Sequence, residues 1–149
     1  MTISLEPHGP VSEQDVADVE RRLGVRFPPA YRAWLLAVGG GTLSDYTVIP
    51  GTGGNGVLDQ FETVDDLVDT QDFEPNELIP PGYVVIAVGS GGSLAIRTAD
   101  DDHGSLWWAD FDKADELDLA GDTPEGPTPE IMARLADDFP SLLTLLDIA

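Results

Sequence analysis

The chain has no cysteine, so disulfides, thiolate nucleophiles and thiolate metal sites are all excluded. Histidine is nearly as scarce. His8 and His103 are the only two, which leaves little for imidazole catalysis or a zinc site. Basic residues number 7 against 28 acidic ones, for a formal net charge of −21. A field of that sign repels phosphate backbones and anionic lipid, so it disfavours nucleic acid and membrane surfaces and favours a basic partner. A salt-adapted host would produce the same composition with no specific partner. No apolar run approaches the ~20 residues that span a bilayer, and the N-terminus lacks the basic-then-apolar pattern of a secretory signal. The expectation is a cytoplasmic protein. No G-x-S-x-G elbow, P-loop or H-E-x-x-H occurs, and no pair of carboxylates stands out from the acidic excess as an acid–base pair.

What is present is enough apolar material for a core. Hydrophobic residues make up 42% of the 149, which fits one domain over residues 1–149. Ser12 is a good helix N-cap, with Asp15 three residues on, and Val16, Val19 and Leu23 form a buried stripe. Gly24 suits the left-handed residue just past a helix end, where a Cβ would be costly. Pro28 and Pro29 suit the first turn of a second helix. Its apolar residues Tyr31, Trp34, Leu35 and Val38 recur at i, i+3, i+4 and i+7, and Gly39 to Gly41 end it. Arg21, Arg22, Arg26 and Arg32 are four of the seven basic residues, and pairing with acidic neighbours is their expected role.

Thr42 to Ile49 reads as a strand, interrupted near Ser44-Asp45, and residues 50–56 as a glycine-rich connector. Thr63 caps a short helix with Val64, Leu67 and Val68 inward. Tyr83 to Val88 is the best candidate for a central strand. Strands at 94–98 and 105–111 follow across short turns and complete an antiparallel meander. Strict alternation puts Leu106 and Trp108 on one face, and Trp107, Ala109 and Phe111 on the other. Residues 112–128 read as a polar loop. A helical segment is expected from Thr128 through Leu135, restarted near Pro140, with Leu142, Leu143, Leu145 and Leu146 docked on the sheet.

Two local motifs invite ligand readings and fail them. Gly51-Thr52-Gly53-Gly54-Asn55-Gly56 fits G-x-G-x-x-G, but a dinucleotide site needs the loop to open into a helix, and residues 57–61 do not start one convincingly. Asp100-Asp101-Asp102-His103-Gly104 suggests calcium, yet an EF-hand counted from Asp100 would need Gly at 105 and Glu at 111, where Ser105 and Phe111 stand. No metal site or cofactor is expected.

The helix, Leu-Gly turn, Pro-Pro, Tyr-bearing helix and Gly-Gly exit resemble the N-terminal signature of the SUKH superfamily. Leu78-Ile79-Pro80-Pro81-Gly82 leading into Ile86-Ala87 is similar to that family's central strand. Gly91-Gly92, Gly104 followed by Leu106-Trp107-Trp108, and the closing segment from Phe139 to Leu146 extend the likeness over roughly residues 12–147. Ser93 stands where the family often has Asn, and Pro140 is a departure. The resemblance implies an α+β fold, a central mainly antiparallel sheet flanked by an N-terminal helix pair and a C-terminal helix, with no enzyme activity. It implies an immunity protein that binds and neutralises a cognate secreted toxin domain. The alternative it leaves is a non-toxin adaptor or regulatory scaffold. The acidity favours a basic nuclease as the toxin. From Asp59 to Glu77 there are eight acidic residues and no basic one, so the partner-binding residues are expected to be Asp65, Asp66, Asp69, Asp72 and Glu74, with Asp100, Asp101, Asp102 and Trp107 as a second group.

Overall fold

In a computed structural model that describes residues 2–148, the Ser12 hydroxyl accepts the Asp15 N–H at 3.1 Å and starts helix α1 (Glu13–Leu23). Residues 1 and 149 of the expected domain lie outside the described residues. Helix α1 stops at Gly24, whose φ of 68° is left-handed, while the Val25 N–H reaches back to the Glu20 carbonyl. Helix α2 (Pro29–Val38) begins on its proline and ends at Gly39. Of its stripe, Tyr31 and Leu35 are fully buried and Trp34 and Val38 half-buried. Trp34 packs tilted against Phe61 and Phe139 with ring centroids at 5.1 and 4.9 Å.

These helices lie against one face of a seven-stranded antiparallel sheet. Its strands are β1 (Leu5–Pro7), β2 (Gly41–Val48), β3 (Val57–Phe61), β4 (Tyr83–Ser90), β5 (Gly92–Arg97), β6 (Leu106–Asp110) and β7 (Met132–Ala136). Their order across the sheet is their order along the chain. The inner face carries Leu58, Phe61, Ile86, Leu94, Ile96, Leu106 and Trp108, all fully buried against α1, α2 and helix α5 (Phe139–Leu145). The α+β architecture expected from the sequence is the one observed.

Several local assignments change. Residues 5–7 form an edge strand ahead of the first helix, and residues 57–61 are β3, entered straight from the glycine loop. The strand expected to reach Phe111 stops at Asp110, whose carboxylate accepts the Asp112 N–H and caps helix α4 (Phe111–Leu119). The first part of the loop expected over 112–128 is thus helical. The helix expected through Leu135 is instead a short 3₁₀ turn (Pro129–Ile131) followed by β7, which pairs with β6 along the sheet edge. Asp138 then caps α5 and Pro140 sits harmlessly in its first turn. Leu145 of α5 points outward rather than docking.

Candidate protein-interaction site

The outer face of the sheet is covered over only part of its area. After the short helix α3 (Leu67–Thr70), the chain crosses this face. The buried Asn76 donates to the Thr70 carbonyl at 2.7 Å and accepts from Ser93 Oγ of β5 at 2.8 Å. Leu78 and Ile79 then pack with Ala109, Ala114, Ile131 and Met132, so α4 and the 3₁₀ turn close over β5 to β7. Gln71 fixes the start of the crossing: its side chain donates to the Val85 carbonyl and accepts the Val85 N–H, both at 2.9 Å, along β4 beyond the reach of β3. The crossing divides the outer face into two open areas.

The first lies over β2, β3 and the end of β4. A hollow of about 570 Å³ is lined by Gln60, Glu62, Asp66, Asp69, Phe73 and Glu74, among others, with the β4–β5 turn and Phe111 opposite. A second hollow of about 420 Å³ adjoins it through Gln60 and is lined by Thr42, Ser44, Asp45, Tyr46 and Asp59. The register explains this surface. Leu43, Thr47 and Ile49 face the core, which turns Thr42, Ser44, Tyr46 and Val48 outward. Between Thr42 and Thr47, β2 slips against β3, so the interruption expected near Ser44-Asp45 is a bulge. Residues 33–96 contain no Lys or Arg, so no cation offsets the carboxylates here. Glu62 is almost fully buried beneath them. Burial raises its pKa from the ordinary glutamate value, against the lowering effect of the hydrogen bond that Gln60 Nε2 donates at 3.2 Å.

The second open area is the corner around Trp107. This half-buried ring meets Tyr83 edge-on at 5.5 Å, its indole N–H donates to Ser105 Oγ at 2.8 Å, and the Arg97 guanidinium lies 4.6 Å from the Tyr83 centroid. Here the carboxylates already have internal partners. Asp101 accepts from Arg97 at 3.0 Å. Asp102, in left-handed backbone at φ 59°, takes both Arg134 Nε and Nη2 at 2.9 Å. Arg134 therefore holds the Asp102 carboxyl below its ordinary pKa.

The sequence candidates thus fall into separate groups. Asp66, Asp69 and Glu74 line one hollow, while Asp65 and Asp72 are exposed beside it. Asp101, Asp102 and Trp107 share the far corner, and Asp100 lines a different hollow with Arg21, Arg26 and His103. The N-terminal arginines divide too. Arg32 binds Glu13 and Glu20 and Arg21 binds Asp18, whereas Arg22 and Arg26 make no ion pair among the described residues. Sequence reasoning missed Tyr46, Gln60, Glu62 and Phe73. The available signal was a lone aromatic inside an acidic run, in the case of Phe73.

The glycine loop is ordered by Thr52, which donates to the Ile49 carbonyl at 2.7 Å and accepts the Gly56 N–H at 3.0 Å. Its last glycine makes room for Trp108: a Cβ on Gly56 would lie 2.9 Å from the indole nitrogen, and one on Gly92 would lie 2.6 Å from the ring. The loop opens into a strand, so the helix N-terminus a dinucleotide requires is missing from that position. Among the described residues, no three His, Asp or Glu side chains gather to hold a metal ion, and no helix is long and apolar enough to cross a membrane.

A chain-ordered antiparallel sheet with an N-terminal helix pair and a C-terminal helix packed on its inner face is an α+β scaffold. The chain belongs to the SMI1/KNR4 family (SUKH-1), whose model matches residues 10–144. Members of this family are commonly immunity proteins and typically lack enzymatic activity. The chain is similar to an uncharacterized protein, YnaB, of Bacillus subtilis (strain 168), at 30% identity over 111 residues that span 74% of this chain and 67% of YnaB.

Proposed function

We propose that this chain is an immunity protein that binds a cognate secreted toxin domain and occludes its active or substrate-binding surface. The observation that carries the reading, beyond the family, is the hollow walled by Glu62, Asp66, Asp69 and Glu74 with no basic residue between positions 33 and 96. A nuclease must attract phosphate, so its working surface is basic. A carboxylate-rich surface competes for that same face and accelerates encounter by electrostatic steering. Neutralisation by occlusion needs no chemistry from the immunity protein, only affinity and coverage.

The test is co-expression with the C-terminal domain of a secreted protein encoded in the adjacent reading frame, scoring growth rescue and co-purification. Rescue together with a stable complex supports the reading. Full rescue without any complex, or a complex that leaves toxin activity intact, rejects it. Steering makes a further demand: the association rate must fall steeply between low salt and about 0.5 M. A salt-insensitive rate removes the electrostatic part.

A further inference from the structure

We propose that the partner docks on the open area over β2, β3 and the α3 loop, and that Tyr46 and Phe73 are its anchors. This rests on the toxin-binding reading and adds the place and the contact chemistry. Three of the five large apolar side chains most exposed among the described residues stand there: Tyr46 at 69%, Phe73 at 65% and Val48 at 55%. Tyr46 and Phe73 line the two adjoining hollows that share Gln60, so they belong to one surface. The sheet contributes a flat, hydrogen-bonded floor, and neither ring packs into the core. An exposed aromatic pair set among carboxylates has the make-up of an interface centre with a polar rim.

Charge selects the occupant. A second copy of this chain would bring Asp45, Asp59, Asp66 and Asp69 against their own kind, and a nucleic acid would bring phosphates against them. A basic protein surface fits both components. Its Lys and Arg side chains meet the carboxylates, and their cations can lie over the Tyr46 and Phe73 rings. The Trp107 corner offers less to such a partner, because Asp101 and Asp102 are already bound to Arg97 and Arg134.

The two contributions separate in the kinetics. The aromatic anchors govern dissociation, whereas the carboxylates govern association and its salt dependence. The experiment is calorimetric and kinetic titration of the neighbouring toxin domain with wild type, Tyr46→Ala, Phe73→Ala and Trp107→Ala. Deuterium exchange on the wild-type complex gives an independent map. Tyr46→Ala or Phe73→Ala should weaken binding by about 30-fold or more, mostly through faster dissociation. Trp107→Ala should leave affinity within about threefold, and protection should fall on residues 42–48, 57–61 and 66–76. Both rings are exposed, so unchanged melting temperatures show that the loss arises at the interface. Wild-type binding with both aromatic variants unaffected, or with protection and affinity loss at Trp107 instead, overturns the location and leaves the immunity reading standing. No binding by wild type overturns that reading and this one with it.

Discussion

Tyr31→Phe should stabilise the fold, and the reason is one oxygen atom. The Tyr31 hydroxyl is fully buried and has no hydrogen-bond partner among the described residues. Burial first, and the nearby Glu62 carboxylate second, push its pKa far above the ordinary tyrosine range, so the phenol stays neutral. An unsatisfied buried hydroxyl costs about 1–3 kcal/mol. Phenylalanine removes that penalty and keeps the ring, which meets Phe27 and Phe139 at 5.2 Å each. The space left by one oxygen returns only a few tenths of a kcal/mol. The net gain is about 1 kcal/mol, or roughly 3 °C in Tm for a chain of this size. Urea unfolding followed by both tryptophan fluorescence and far-UV circular dichroism checks two-state behaviour and measures the difference. A loss of 1 kcal/mol or more would refute the reasoning, because it would mean the hydroxyl is bonded. A double-mutant cycle with Glu62→Gln would then show whether Glu62 is the partner.

Glu62→Gln tests the buried acid. Its raised pKa means that the folded state holds the proton more tightly than the unfolded chain, so wild-type stability falls as pH rises through and above the usual carboxylate range. The variant's advantage should be absent near about pH 4 and full near about pH 8, and a pH-independent difference in urea midpoint would count against it. Asp102→Asn works in the opposite direction. Asparagine keeps the left-handed turn but not the charge that Arg134 stabilises, so the variant should be weaker at neutral pH and equal to wild type in strong acid. Ser12→Ala should lose about 1 kcal/mol in thermal unfolding with the removal of the α1 cap. Gly92→Ala should cost about 1–3 kcal/mol or more and alter Trp108 emission, since its Cβ meets both the Ala109 carbonyl and the Trp108 ring.

The helix pair was legible because each signal was local: a capping serine, a left-handed glycine, a proline at the first turn and a four-residue apolar stripe. The β4–β6 meander was legible from its apolar, β-branched runs and short turns, and alternation in β6 separated Trp107 and Trp108 onto opposite faces, of which the fold buries Trp108. β3 was hidden by its register shift. Leu58 and Phe61 both face the core three positions apart, so Val57–Phe61 does not alternate with period two. β7 is written in residues that favour helix, Met132, Ala133, Arg134 and Leu135, and becomes a strand because β6 offers an edge to pair with. α4 buries only Ala114 fully and exposes a run of carboxylates, which left it without an apolar stripe to read. The candidate surface was legible only as a charge run. Acidic composition marked the segment, but carboxylates look alike in sequence. Only the fold showed that Asp66, Asp69 and Glu74 share a hollow while Asp101 and Asp102 serve as anchors for arginines.

Strand order that follows chain order has a consequence for how such a scaffold diversifies. Every sheet neighbour is a sequence neighbour, so one uninterrupted stretch, residues 42–76, supplies most of the open area over β2, β3 and α3, including Tyr46, Phe73 and all of its carboxylates, while the β4–β5 turn and Phe111 form the opposite wall. Helices α1 and α2 come before it, and the β4–β6 meander and α5 follow it. The outward positions of one contiguous segment, Thr42, Ser44, Tyr46 and Phe73 among them, can therefore be rewritten by recombination or design, provided that its inward residues Leu43, Ile49, Leu58, Phe61 and Leu67 keep the core.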